Sequence, residues 1–319
     1  MTTKRHILLI DPLEKLVIKK DSSLLLALSM KERGIPVCLV FEADFFCANK
    51  GPKNLTVTDF EGEFLDGGPY LKEFKLTKKY EIEVGANDVF HMRLDPPFDS
   101  RYLRILWMLK MWKSQGAHVI NSPEGIAAYN EKLFAYEQAD SLQTYIGSSY
   151  SAFQNYVSDI RKKGVEFLIF KPLDLYQGMG VEKLSINDDL EKRFHDKVKE
   201  CHGPIIAQPF DASVTSGEVR SLYFMGKELG SILKVPPAGA FLANIAQGAS
   251  YDVVELNDIQ RKACEKVCHE LMDVGVPWVA FDILGNNVSE VNITCPGLLV
   301  EVSKAKKKNL AFDIIDLLN

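Results

Sequence analysis

The stretch Trp278-Val279-Ala280-Phe281-Asp282-Ile283-Leu284-Gly285-Asn286-Asn287-Val288-Ser289-Glu290-Val291-Asn292-Ile293-Thr294 decides how this chain is read. Two apolar runs flank Gly285-Asn286-Asn287, residues that tolerate the positive φ of a tight turn, so the segment is expected to be a β-hairpin. Asp282 and Glu290 lie equally far from Asn286, and folding at that point sets them opposite each other. Residues i and i+2 of a strand share a face, so Asn292 joins Glu290. Two carboxylates and an amide then converge as hard oxygen donors, a set suited to Mg²⁺ bridging phosphate oxygens, with Mn²⁺ as an alternative ion. A merely solvated hairpin does not fit strands that are otherwise apolar.

The neighbouring segments supply cations. Upstream of the hairpin, antiparallel strands are expected over 218–225 and 228–235, and a long helix near 257–275. Arg220 follows Glu218 by two residues on one strand face, where it reads as an ion pair or as a counter-charge to a transferring phosphoryl group. Lys171 ends the apolar run Leu168-Ile169-Phe170 and precedes Gln177-Gly178-Met179-Gly180. A lysine at such a place offers a point charge, and Gly178 and Gly180 let backbone N–H groups approach an anion. The spacing is not that of a P-loop. Lys132 lies in Asn130-Glu131-Lys132-Leu133-Phe134. Arg93 and Asp95, in Met92-Arg93-Leu94-Asp95-Pro96-Pro97-Phe98-Asp99, follow a strand end, where open α/β sheets face their ligand crevice. Taken alone they read as a salt bridge, although an arginine there can also grip a carboxylate in two-pronged fashion. Asp11 ends the first strand and is expected either at the same edge or as a cap on the turn that follows. No nucleophile elbow or His-Glu-x-x-His pattern occurs.

The first third alternates strand and helix: 7–10, a helix from Asp21 or Ser22 to Arg33, 37–41, 89–92, a helix near 102–115, and 118–120. This pattern argues for a parallel sheet covered on both faces. Residues 52–86 read as short antiparallel strands inserted into that unit. After 123 the texture becomes α+β. Three units are therefore expected: an α/β domain at 1–122, a small lobe at 123–202, and an antiparallel-sheet domain at 203–319.

The chain's 319 residues, 46% hydrophobic and 25% charged, exclude global disorder. Net charge of -5 and a pI near 5.8 argue against nucleic acid as a partner. The run Lys304-Ala305-Lys306-Lys307-Lys308 reads as a solvated face. No apolar stretch is long enough to span a bilayer, and the N-terminal apolar run is too short for a leader, so a cytoplasmic protein is expected. The six scattered cysteines read as reduced thiols, and Cys264, Cys268 and His269 lack the spacing of a zinc site. A homo-oligomer is left open.

These strings, in order, align with a family. Ile18-Lys19-Lys20-Asp21-Ser22-Ser23, Met92 to Asp99, Val119-Ile120-Asn121 with Pro123, Asn130 to Phe134, Lys171-Pro172-Leu173-Asp174, Asp282-Ile283 with Gly285, and Glu290 to Gly297 closely resemble bacterial glutathione synthetases of the ATP-grasp fold. The resemblance runs through nearly the whole chain. It implies an N-terminal α/β domain, a central lid and a C-terminal catalytic domain, with ATP held between the last two. It implies an ATP-dependent carboxylate–amine ligase working through an acyl phosphate on γ-glutamylcysteine and glycine. Lys132 and Lys171 match lysines on the ATP phosphates, and Gln208, Pro209 and Phe210 match the segment beside adenine. Asp282, Glu290 and Asn292 match Mg²⁺ ligands. Arg220 matches an arginine over the reacting groups, Lys234 stands where the family tends to have arginine, and Arg93 with Asp95 lies in the substrate-side motif. Three residues, Leu175-Tyr176-Gln177, lengthen the glycine loop, and Pro209 departs from the family's adenine strand. The segment 237–248 lacks the family's glycine pairs and arginine. A ligase for another peptide-like acid, or a homologue that binds nucleotide or peptide without ligating, are the alternatives this departure leaves.

Overall fold

The computed structural model describes residues 4–51, 53–138 and 141–318. Readings that touch residues 1–3, 52, 139–140 and 319 (the N-terminal start, the first position of the inserted strands, part of the small lobe and the last residue) lie outside these.

The first sheet contains β1 (Arg5–Ile10), β2 (Val37–Phe41), β3 (Asn54–Phe64), β4 (Leu71–Glu83), β5 (Asp88–Arg93) and β6 (His118–Ile120), ordered β4-β3-β2-β1-β5-β6. β2, β1, β5 and β6 run parallel, while β3 and β4 add an antiparallel edge. The expected short inserted strands are thus one long hairpin. The period of two in β1 divides the core: Ile7 and Leu9 pack beneath helix Ser100–Ser114, and Leu8 and Ile10 pack against helix Ser22–Glu32. Asp21 caps the latter helix, its carboxylate accepting from the Ser23 and Leu24 N–H groups at 2.9 Å.

The second sheet comprises β7 (Tyr145–Gly147), β8 (Phe167–Lys171), β9 (Glu182–Ser185) and β10 (Ile205–Pro209), ordered β7-β10-β8-β9. Helices Tyr150–Lys162 and Leu190–Glu200 cover it around Phe153 and Phe194, which stack at 4.7 Å. This sheet does not follow the boundaries expected at 123 and 202. β10 pairs with β7 and β8, although it was expected in the last domain. The single helix expected near 124–137 is two, Pro123–Ala128 and Glu131–Tyr136, because Tyr129 is extended and Asn130 caps afresh. Phe134 and Ala135 pack into the C-terminal core rather than the lid.

The third sheet holds β11 (Glu218–Phe224), β12 (Lys227–Val235), β13 (Ser250–Val253), β14 (Trp278–Leu284) and β15 (Asn287–Asn292), ordered β13-β12-β11-β14-β15 and wholly antiparallel. Helix Asp258–Asp273 covers one face with Cys264, Val267, Cys268 and Leu271. The other face meets the first lobe. Leu222, Ile232, Trp278 and Ala280 share one core with Leu24, Leu25 and Leu28, closed by the C-terminal helices Leu299–Ala305 and Ala311–Leu318. No helix among the described residues is long and apolar enough to cross a membrane.

Candidate functional site

A cavity of about 630 Å³ opens where the three sheets meet. β11, β12, β14 and β15 form its floor by register alone: Arg220 pairs with Asp282, Glu218 with Lys234, Asp282 with Glu290, and Ala280 with Asn292. The expected pairing of Asp282 with Glu290 holds for a reason the sequence did not show. The turn is Gly285-Asn286, closed by Leu284 against Asn287, and that count alone would set Asp282 opposite Ser289. A β-bulge after Asp282 shifts the ladder by one, with Ser289 Oγ donating to the Asp282 carbonyl at 3.1 Å.

Four charges interlock on this floor. The Arg220 guanidinium grips Asp282 with both prongs, at 2.9 and 2.7 Å, and Lys234 Nζ donates to Asp282 Oδ1 at 2.7 Å and to Glu218 Oε2 at 2.8 Å. Arg220 therefore pairs across the sheet, and the expected pair with Glu218 does not form. Burial favours a neutral Asp282, but Arg220 and Lys234 outweigh it and hold the carboxyl well below the usual range. Burial would lower Lys234, yet Asp282 and Glu218 raise it; Glu218, by contrast, is raised because burial outweighs Lys234.

Asp282, Glu290 and Asn292 fit a hard divalent cation. Asn292 turns its amide nitrogen to the Ala280 carbonyl and to Asp282 Oδ2, at 3.1 and 3.2 Å, so the amide oxygen is outside both bonds. Both Asp282 oxygens already accept two hydrogen bonds, Oδ1 from Arg220 and Lys234 and Oδ2 from Arg220 and Asn292, so Asp282 would take a cation in exchange for one of them. Glu290 Oε1 meets Lys132 Nζ at 3.1 Å.

Above the floor, Lys132 also donates to the Leu175 carbonyl at 2.7 Å, which ties it to the glycine loop. Lys171 Nζ, at the end of β8, finds a neutral partner, Gln208 Oε1, at 2.9 Å, and Gln208 in turn donates to Thr144 at 2.7 Å. Burial lowers Lys171, only partly offset by Glu290 and Glu218. A buried ammonium held by an amide is a ready anion site. Lys171→Ala is therefore expected to weaken ATP binding roughly tenfold or more with little change in the unfolding midpoint, as read by titration calorimetry and a thermal melt.

Gly178 lines the cavity, and its positive φ of 74° requires glycine; a Cβ there would meet Leu242 Cδ1 at 3.1 Å. Gly180 does not line it. It packs behind the loop against Pro172 and Lys197, a correction to the expectation that both glycines face phosphate. Asn244 Nδ2 donates to the Gln177 carbonyl at 2.7 Å, so the glycine loop and the 237–249 loop meet over the cavity. Gln208, Pro209 and Phe210 lie on its wall, with Lys183 Nζ 3.5 Å from the Phe210 ring centroid. Arg93 and Asp95 line the far end. Arg93 makes no bond to Asp95 there: it donates to Ser23 Oγ at 3.0 Å and to the Pro296 carbonyl at 2.9 Å, and stacks 4.1 Å from the Trp278 ring centroid. Asp11 accepts from the Asp95 N–H at 2.8 Å and braces that turn.

Glu131 carries a role the sequence reading missed. Its Oε1 accepts from the Ile293 and Thr294 N–H groups and from Thr294 Oγ1, at 2.7–2.8 Å. It thereby locks the helix bearing Lys132 to the end of the strand bearing Glu290 and Asn292. Its place beside Lys132 was the only signal.

An α/β lobe joined to two α+β units that close on a charged cavity defines the ATP-grasp class. Solved structures share the fold: D-cycloserine synthetase DcsG, with a TM-score of 0.66 at 14% identity over 98% of this chain and 100% of that one, and a RimK domain ATP-grasp protein from Sphaerobacter thermophilus, with a TM-score of 0.61 at 14% identity over 98% of each. The ATP-grasp ligase PsnB, solved with a phosphomimetic precursor variant, Mg and ADP, has a TM-score of 0.61 at 15% identity over 99% of this chain and 98% of that one. Residues 5–127 match the prokaryotic glutathione synthetase N-terminal domain and residues 131–307 its ATP-grasp domain. The chain belongs to the prokaryotic glutathione synthetase family, whose members are ATP-dependent carbon–nitrogen ligases. Glutathione synthetases of Coxiella burnetii and Parasynechococcus marenigrum are 28% and 27% identical to it, over 90% and 98% of this chain and 88% and 98% of theirs.

Proposed function

We propose that the protein joins γ-glutamylcysteine to glycine with ATP, and that the charged floor and the lid lysines perform the transfer. The observation that carries this reading is the convergence of Lys132, Lys171, Arg220 and Lys234 with three oxygen donors on one cavity. The donor carboxylate attacks the terminal phosphorus of ATP, ADP departs, and an acyl phosphate forms. The amine nitrogen then attacks the carbonyl carbon, loses a proton, and phosphate leaves. Lys132 and Lys171 hold the ATP phosphates, with Gln208, Pro209 and Phe210 beside the base. Arg220 and Lys234 counter the charge that gathers on the transferring phosphoryl group and the donor carboxylate. Asp282, Glu290 and Asn292 would hold Mg²⁺, which neutralises phosphate charge; Mn²⁺ shares the oxygen preference and is proposed to replace it. The glycine loop and the 237–249 loop exclude water from the acyl phosphate. The six unpaired cysteines support a reducing compartment, and we place the enzyme in the cytoplasm.

ADP release that requires both γ-glutamylcysteine and glycine is the expected result; release that ignores γ-glutamylcysteine refutes the assignment. A second reading has its own observation. Phe241, Leu242, Ala243 and Ile245 turn an apolar wall to the cavity, which suits an acceptor amine with more apolar surface than glycine. The same assay run with larger amino acids in place of glycine separates the two.

A further inference from the structure

The hairpin β3–β4 belongs to the first lobe, yet its tip lies against the third sheet. The Leu65 N–H donates to the Tyr70 carbonyl at 2.7 Å and closes that tip. The half-buried Tyr70 ring packs against the core shared by the first lobe and the C-terminal helices, as do Ile18, Ile245 and Tyr251. The Tyr70 and Tyr251 hydroxyls lie 3.2 Å apart and share a hydrogen bond. Two ammonium groups lie over the Tyr70 ring, Lys19 Nζ at 5.4 Å and Lys304 Nζ at 5.0 Å from its centroid, distances at which the ring face attracts a cation. One side chain thus ties the hairpin tip to three others: the turn Ile18–Lys20, the helix Leu299–Ala305 and β13.

Two of these lead to the cavity. The turn carries Lys20, and the 237–249 loop, which runs straight into β13, carries Phe241, Leu242 and Ile245; all of these line it. By itself β13 is a weak anchor for such a loop. It has four residues, lies at the sheet edge against β12, and exposes Ser250, Asp252 and Val253. Short edge strands with few buried contacts open locally at low cost. Tyr251 is the half-buried exception, and its ladder partner is Lys234 of the charged floor.

We propose that Tyr70 is a positioning residue for the acceptor amine: from the first lobe it clasps Tyr251, and so fixes the exit of the 237–249 loop and the distance of that loop from the floor. That the ligand under the loop is an amine rests on the ligase reading above; the clasp itself does not. Lys171 and Gln208 stand on the second sheet, outside this chain of contacts, so ATP binding is independent of it.

Three variants of the full chain test this. Tyr70→Phe removes the hydroxyl and keeps the ring, Tyr70→Leu removes both, and Tyr251→Phe removes the hydroxyl on the other side. Initial rates of ADP release give KM separately for ATP and for the amine, be it glycine or the larger amino acid that the assay above selects. Tyr70→Phe should raise the amine KM about 3- to 10-fold, and Tyr70→Leu further, with the ATP KM within about twofold of wild type. Tyr251→Phe should match Tyr70→Phe, and the double variant should be no worse than either, since both remove one hydrogen bond. A parallel rise in both KM values, an amine KM that Tyr70→Leu leaves unchanged, or additive losses in the double variant overturns the proposal. Should Tyr70→Leu fail to fold, the two phenylalanine variants decide it alone. If the wild type releases no ADP with any donor and amine, the ligase reading fails, and hydrogen exchange of the ligand-free protein decides the clasp. Faster exchange in Tyr70→Phe confined to 245–253 sustains it; exchange unchanged there, or faster also at 167–171 and 205–209, overturns it.

Discussion

Asp282→Ala is expected to lower the free energy of unfolding by about 3–5 kcal/mol and to remove ligase activity, because it strands Arg220 and Lys234 as buried cations. Glu218 remains for Lys234, but Arg220 loses both of its hydrogen bonds to Asp282. Urea unfolding of the two proteins measures the gap. Since Asp282 is held below its ordinary value, its contribution is fully present above the unfolded carboxyl value of about 4. The gap between wild type and variant should be flat above that pH and narrow as the solution becomes more acidic. The double variant with Arg220→Met should cost less than the sum of the two single changes, since it removes the stranded charge. Additive losses, or a gap that widens in acid, would refute the pairing.

Glu290→Gln should have the opposite profile, a large loss of activity in a protein nearly as stable as the wild type. Glu290 is partly exposed, and its ion pair with Lys132, the one it makes among the described residues, is expected to contribute about 0–1 kcal/mol. Its proposed task, holding Mg²⁺ on the phosphates, is worth several kcal/mol of transition-state stabilisation, so kcat should fall on the order of 10²- to 10³-fold. The fall should be steepest at limiting Mg²⁺. Initial rates of ADP release across a Mg²⁺ series, beside a thermal melt, provide the measurement, and an unchanged rate at low Mg²⁺ removes Glu290 from the metal site.

The contrast between these two carboxylates shows what could be read from residues alone. The apolar strands around Asp282, Glu290 and Asn292 announced a buried polar face, and alternation announced the parallel sheet. The bulge at Ser289 was not legible, since it depends on how the turn closes. Nor was the sheet to which Ile205-Ile206-Ala207 belongs: an apolar run fits any sheet, and only its neighbours, β7 and β8, assign it. Glu218 and Arg220 share a face, as their spacing indicated, but the residues directly opposite them on the neighbouring strands, Lys234 and Asp282, took each of them. Gly180 resembled Gly178 in sequence, and packing against Pro172 separated their roles.

The core shared by helix Ser22–Glu32 and the C-terminal sheet has a consequence for how the protein is made. Leu24, Leu25 and Leu28 share their core with Leu222, Ile232, Trp278 and Ala280 and with Leu299, Val300, Ile314 and Ile315, all in the last third of the chain. Asn309 donates to Ser29 at 2.9 Å, and Arg33 pairs with Asp316 and stacks on Phe312. During synthesis the N-terminal lobe therefore leaves the ribosome with an uncovered greasy face, while the lid between them can already collapse on its own phenylalanines. Nascent chains stalled before residue 299 should hold chaperones, and release of the last helix, rather than completion of the first lobe, should be the event that frees them.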